Sequence, residues 1–119
     1  MQPLPLPVVA LTLGDPAGIG AELIARLLAR PEATALANIV LVGDRWLWED
    51  GQRIAGLPVE TDAVPSFAAV RERSDTGRPA FLAIDSIDPS QVHRGRAEAA
   101  GGRSVLQVLD RCMDATLAG

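Results

Sequence analysis

The sequence predicts an α/β fold, a three-layer arrangement around a largely parallel sheet. Three observations lead there. Short apolar runs, the first of them partly β-branched, occur at residues 8–13, 38–42 and 80–84, with the length and flanks of buried strands. The stretches between them carry apolar residues at helical spacing. A glycine-rich turn joins the first strand to the first helix, at residues 14–20.

In chain order, Pro3, Pro5 and Pro7 lead into the strand at 8–13. After the turn, Ile19, Leu23, Leu27 and Leu28 recur at helical spacing through Arg30, and Pro31 supplies a stop. The run at 38–42 reads as a second strand, closed by Gly43 and Asp44. Asp44 is a candidate N-cap for a helix with Leu47 and Ile54 on one face, ending near Gly56. Gly51 weakens that helix by about 1 kcal/mol relative to Ala. Residues 58–62 form a candidate short strand, and Ser66 can cap a helix over 67–73. A turn at 75–79 precedes the strand at 80–84, and 86–94 reads as a loop. A long helical pattern runs from about Arg96 to Leu117, with Val105, Leu109, Met113 and Thr116 near one stripe. Its weak point is Gly101-Gly102, so Arg103 is an alternative start.

Composition narrows the function. The 119 residues fit one domain, and 48% hydrophobic content is enough for a core. A formal net charge of −4 argues against binding nucleic acid or an anionic membrane. All 11 basic residues are Arg, so the chain supplies neither a Schiff-base amine nor a P-loop lysine. Cys112 stands alone, which suits a reducing compartment, and its spacing with Leu109 and Leu117 suggests an inert core position. The start of the chain has no positive charge and is broken by prolines, unlike a signal peptide, and no apolar run is long enough to span a bilayer. A cytoplasmic location is expected.

The turn carries the functional information. A strand, a glycine-rich turn and a helix together can present free backbone N–H groups and a positive helix end to an anion. Gly14, Gly18 and Gly20 allow positive φ or close approach, Pro16 stiffens the turn, and Asp15 is either a ligand-facing acceptor or a local hydrogen-bond partner. Tight strand-to-helix packing explains the same glycines equally well. The spacing is not G-x-G-x-x-G, and no Lys follows, so neither dinucleotide nor Walker fingerprint is met. Asp44 lies where a ribose-binding acid would sit, although a helix cap is the favoured reading. His93, beside Arg94 and Arg96, reads as a solvated side chain, and Asp85 and Asp88 as turn-forming acids before Pro89.

The string Thr12-Leu13-Gly14-Asp15-Pro16-Ala17-Gly18-Ile19-Gly20, followed by Glu22 and an apolar helix, resembles the N-terminal signature of the 4-hydroxythreonine-4-phosphate dehydrogenase family. Val40-Leu41-Val42-Gly43-Asp44 and the helix up to Ala55-Gly56-Leu57-Pro58 are similar to that family's second strand and helix. Gly95-Arg96, Gly102-Arg103 and the helix to Gly119 look like the segment before its next core strand. Departures are Ala21, where the family usually has proline, and Trp48 and Gly51 in a helix usually richer in Ala and Leu.

The resemblance implies an isocitrate/isopropylmalate dehydrogenase-like fold, with residues 1–119 as one incomplete α/β domain of a longer two-domain, homodimeric enzyme. It also implies NAD(P)-dependent oxidation and decarboxylation of 4-phosphohydroxy-L-threonine on the route to pyridoxal phosphate. NAD or NADP is the implied cofactor, with a divalent metal (Zn, Mg or Co) whose ligands lie outside this chain. Residues 14–20 would line the cleft; no catalytic base or nucleophile is assigned. Alternatives are a related dehydrogenase of phosphorylated sugar acids or aromatic cis-dihydrodiols, a non-catalytic truncated chain, and a small nucleotide-binding module.

Overall fold

The computed structural model describes residues 6–73 and 77–118. Four strands, β1 (Val8–Thr12), β2 (Asn38–Gly43), β3 (Asp62–Ala63) and β4 (Ala80–Ala83), form one parallel sheet in the order β1-β2-β4-β3. Successive side chains on a strand point to opposite faces, and here both faces are covered. Ile39 and Leu41 of β2 and Phe81 of β4 join Ala21, Ala25 and Leu28 of α1 (Gly20–Leu28) and Leu47 and Trp48 of α3 (Arg45–Ala55) in one cluster. Val40, Val42, Ala80 and Leu82 face the other way, onto Val70 of α4 (Phe67–Glu72) and Val108 and Cys112 of α5 (Ala99–Ala118). The three-layer α/β expectation therefore holds. Burial on both faces explains why β2 reads as a continuous apolar run rather than an alternating one.

The crossovers share one hand. Steps from β1 to β2 and from β2 to β3 use helices on the first face, while the return step from β3 to β4 uses α4 on the second. Opposite faces for opposite directions are what a single handedness requires.

Several expectations are corrected. The first strand is not buried: β1 forms a sheet edge, and Val8, Val9 and Ala10 are exposed. Pro31 does not simply stop a helix; it opens α2 (Pro31–Leu36), where its fixed φ and missing N–H suit the first helical position. The expected strand at 58–62 is not formed: residues 58–61 lie in no strand, and the two-residue β3 overlaps the expectation only at Asp62. Ser66 caps α4 as expected, its hydroxyl accepting from the Ala69 N–H at 3.3 Å. The expected turn at 75–79 lies partly outside the described residues. The 86–94 loop contains one 3-10 turn at Pro89–Gln91.

Both long helices present a different face from the one expected. In α3, Leu47 and Trp48 are buried while Ile54 is exposed. In α5, Gly101, Ser104, Val108 and Cys112 face the sheet, and Leu109 and Met113 are exposed. Cys112 is buried as expected, but its companions Leu109 and Leu117 are not. The helix starts at Ala99, so the glycine pair lies inside it. Trp48 and Phe81 are the two largest fully buried side chains, and the Arg45 guanidinium lies 4.7 Å from the centroid of the Phe81 ring.

Gly51 has a packing reason. A Cβ built on it would lie 2.6 Å from the Ala21 Cβ and 2.7 Å from the Ala21 carbonyl carbon. α1 and α3 thus touch nearly backbone to backbone. Ala21 and Gly51 are spatial neighbours.

Candidate functional site at the C-terminal edge of the sheet

The turn at residues 14–20 leaves the C-terminal end of β1 and enters α1. Gly14 has φ +77°, a conformation that favours glycine. The Asp15 carbonyl accepts the Gly18 N–H at 2.9 Å, and its Oδ1 accepts the Ala17 N–H at 2.8 Å. Pro16 is buried. Gly20 packs so closely that a Cβ there would lie 2.4 Å from the Leu13 carbonyl oxygen, and one on Gly18 would lie 3.3 Å from the Asp15 carbonyl oxygen. Turn geometry and strand-to-helix packing therefore account for Gly14 and Gly20, and Asp15 is a local hydrogen-bond partner.

Two further segments hold the turn. The Ala17 carbonyl accepts the Gly95 N–H at 2.9 Å. Gly101, in the first turn of α5, lets that helix come so near that a Cβ would meet Asp15 Oδ1 at 3.0 Å. The glycine expected to weaken the helix is the residue that admits the Asp15 side chain.

Asp44 differs from both sequence readings. It occupies the N-cap position of α3, and its backbone carbonyl accepts the Leu47 and Trp48 N–H groups, but its side chain makes no cap bond. Instead the carboxylate reaches across to the segment after β4. Oδ1 accepts the Ser86 N–H at 2.7 Å and the Ile87 N–H at 3.3 Å, and Oδ2 accepts from the Ser86 hydroxyl. The Ser86 hydroxyl lies 2.6 Å from that of Ser104 on α5. Asp44 is 3% exposed and Ser104 3%, so this chain of polar groups is a buried tie between β2, the 84–87 segment and α5. A carboxylate so engaged is not free to hold a ribose. Sequence spacing alone could not reveal it, because both partners lie far along the chain.

Beside the turn runs an open groove of about 570 Å³, lined by Pro16, Trp46, Asp50, Arg53, Val92 and Arg94 among others. The Trp46 indole N–H donates to the Ile87 carbonyl at 3.0 Å, closing one side. Arg94 lies 3.6 Å from Glu22 and 3.9 Å from Asp50, so acids and cations are mixed along the groove. A second groove of about 570 Å³ lies at the opposite end of the sheet, near Arg71, Arg73 and Arg78, remote from the turn.

The remaining titratable candidates are local. His93 is exposed, as expected, but it is not merely solvated: Nδ1 lies 2.7 Å from Glu98 Oε1. Asp88 forms a capping box around Pro89–Gln91, and its bonds from Ser90, side chain first and backbone second, hold its carboxyl below the usual range. Burial pushes the Cys112 thiol up, against a smaller opposing effect of Arg111, in keeping with an inert core position. Among the described residues no three His, Cys, Asp or Glu side chains converge as metal ligands would, and no helix is long and apolar enough to cross a membrane.

This arrangement, a parallel sheet covered by helices on both faces with a glycine turn at its C-terminal edge, is that of an open α/β fold. No family model matches the chain. It is 42% identical over 96 residues to a Rhizobium meliloti protein provisionally named 4-hydroxythreonine-4-phosphate dehydrogenase 2; the match covers 81% of this chain and 27% of that protein. It is 37% identical over 115 residues to the 4-hydroxythreonine-4-phosphate dehydrogenase of Synechococcus sp. JA-3-3Ab, covering 96% of this chain and 30% of the relative. In structure it superposes on the 4-hydroxythreonine-4-phosphate dehydrogenase of Burkholderia phymatum with a TM-score of 0.82, at 23% identity, over 98% of this chain and 34% of that one. The chain belongs to the 4-hydroxythreonine-4-phosphate dehydrogenase family and spans about a third of the length of the relatives it matches.

Proposed function

We propose that this chain forms one wall of the catalytic cleft in an NAD(P)-dependent dehydrogenase that oxidises 4-phosphohydroxy-L-threonine, with decarboxylation, on the route to pyridoxal phosphate. The observation that carries this reading is the position of the 14–20 turn, at the C-terminal edge of a parallel sheet in a chain of this family. Open α/β sheets bind their ligands outside the carboxyl ends of the strands. The first turn of α1 would direct its N–H groups and positive dipole end toward the phosphorylated substrate or the cofactor. Glu22, close to Arg94, would have its charge partly offset there.

The chain's own residues do not fit the divalent metal that the family resemblance implies. His93 is occupied by Glu98, and no ligand cluster converges among the described residues. Zn, Mg or Co would take its ligands from outside the chain, so the chain's part is positioning, and by itself it is expected to be inactive. A cytoplasmic homodimer is the expected form of the complete enzyme.

The test is a chimera in which this sequence replaces the matched segment of the Rhizobium meliloti relative, assayed for NAD(P)+ reduction with a divalent metal. Turnover is expected in the chimera and none in the 119-residue chain alone. Gly18→Ala, which adds a Cβ 3.3 Å from the Asp15 carbonyl oxygen, should raise the KM for substrate or cofactor. Unchanged KM values for both would remove the turn from the cleft. A second substrate is included because the chain is also 28% identical to a Symbiobacterium thermophilum protein named for D-threonate 4-phosphate dehydrogenase activity; preferential turnover of D-threonate 4-phosphate would select that reading.

A further inference from the structure

Gly101 and Ser104 are both buried on the stripe of α5 that faces the sheet, and residues at this spacing stand about 4.5 Å apart along a helix axis. Gly101 is the residue against which the Asp15 side chain packs. Ser104 is the residue through which α5 joins the buried polar chain running to Asp44. Less than one helical turn separates the two, so whatever fixes Ser104 also fixes Gly101.

The polar chain has a direction. A serine hydroxyl carries one hydrogen and can also accept. The Ser86 hydroxyl gives its hydrogen to Asp44 Oδ2, so across the 2.6 Å contact with Ser104 it must accept. Ser104 thus donates to Ser86 and Ser86 to Asp44, whose Oδ1 also holds the Ser86 N–H at 2.7 Å. Hydrogen bonds in series strengthen one another where water is excluded. A serine within a helix commonly turns its hydroxyl back to a carbonyl of the preceding turn; this one reaches another segment instead.

Among the described residues Ser104 is the one side chain of α5 that hydrogen-bonds outside the helix. The buried residues further along, Val108 and Cys112, are held by apolar packing, which is not directional and leaves the placement of the helix along its axis loosely set. The Gly101-Gly102 pair also makes the start of α5 its weakest part, and that is where the tie acts. Thr12, Gly14, Asp44 and Ser104 line one small cavity of about 10 Å³, so the tie borders the 14–20 turn at the point where Gly14 takes its φ of +77°.

We propose that Ser104 is a positioning residue for the glycine turn: through Ser86 and Asp44 it sets the first turn of α5, which holds Gly101 against Asp15 and keeps residues 14–20 in the shape that meets a ligand. The consequence for ligand binding rests on the cleft reading of the turn; the consequence for the turn itself does not.

The test uses the full-length chimera with the Rhizobium meliloti relative and two substitutions on the same buried stripe. Ser104→Ala removes the link, whereas Val108→Ala loosens the packing of α5 and leaves the link intact. Hydrogen exchange of a peptide spanning residues 14–20 reads the turn, whose Ala17 and Gly18 N–H groups are bonded to Asp15; steady-state kinetics read KM and kcat. Ser104→Ala is expected to speed exchange of the turn and to raise KM by about threefold to tenfold, the equivalent of one hydrogen bond, with kcat within about twofold. Val108→Ala should lower the melting midpoint and leave exchange of the turn and KM unchanged. If Ser104→Ala does not fold, Ser86→Ala breaks the same link from its other end and is read in the same way. Unchanged exchange in the link variant, or equal acceleration by Val108→Ala, would overturn the proposal. Faster exchange with unchanged KM supports the positioning of the turn and counts against the cleft reading. A chimera without turnover would count against the catalytic reading alone, and exchange of the turn would still decide the role of Ser104.

Discussion

Gly51→Ala should destabilise this chain although it improves helix propensity. The new Cβ would lie 2.6 Å from the Ala21 Cβ and 2.7 Å from the Ala21 carbonyl carbon, against an optimum of about 3.5–4.0 Å between carbons. One of those atoms is backbone, so no rotamer change relieves the clash, and α1 must move from α3 by about 1 Å. Overpacking of this kind costs about 1–3 kcal/mol, and the rigid contact places Gly51 near the upper end. Propensity returns about 1 kcal/mol. The net loss is about 2 kcal/mol, or about 8 °C in melting midpoint at about 4 °C per kcal/mol for a chain of this size. Gly102→Ala is the control: it lies inside α5 with nothing within 4 Å of its Cβ position, so the same substitution should stabilise by about 0.5–1 kcal/mol. Thermal melts followed by far-UV circular dichroism read both. A higher midpoint for Gly51→Ala would mean that α1 and α3 do not approach as described, and the packing account of this glycine would be wrong.

Asp44→Ala should cost about 2–3 kcal/mol in urea unfolding, because the Ser86 and Ile87 N–H groups and the Ser86 hydroxyl lose a buried acceptor; a cost below about 0.5 kcal/mol would show that the tie contributes little. For Cys112, burial raises the thiol pKa above its ordinary value of 9.0. The folded state then binds this proton more tightly than the unfolded state. Its contribution to stability is complete below the ordinary pKa and is lost as pH rises through the folded value. Stability measured upward from about pH 9 should therefore fall less steeply in Cys112→Ala than in the parent chain; identical slopes would refute the burial.

Local signals were legible where one segment decides its own structure. The β2 and β4 runs, the Ser66 cap and the positive-φ glycine ending α3 at Gly56 follow from residues within a few positions of each other. The turn at 14–20 was also recognisable, and of the two readings of its glycines the structure favours close packing, since Gly20 answers to Leu13; that Gly101, in α5, answers to Asp15 was not legible, because the two lie far apart in the chain. Asp44 shows the limit most clearly: as a strand-end acid before a helix it reads as a cap, yet its partners come from residues more than forty positions away. The exposed position of β1 was hidden for a related reason. A parallel edge strand and a parallel central strand have the same apolar composition when helices flank both.

The strand order has a consequence for how the chain acquires its structure. β4 lies between β2 and β3, although β3 precedes it in sequence. As the polypeptide emerges during synthesis, β1, α1 and β2 can associate once Gly43 is available, but β3 has no neighbour to pair with until Ala80 onward has been made. The first half is therefore expected to organise early, and the segment containing β3 and α4 to wait for a long loop to close.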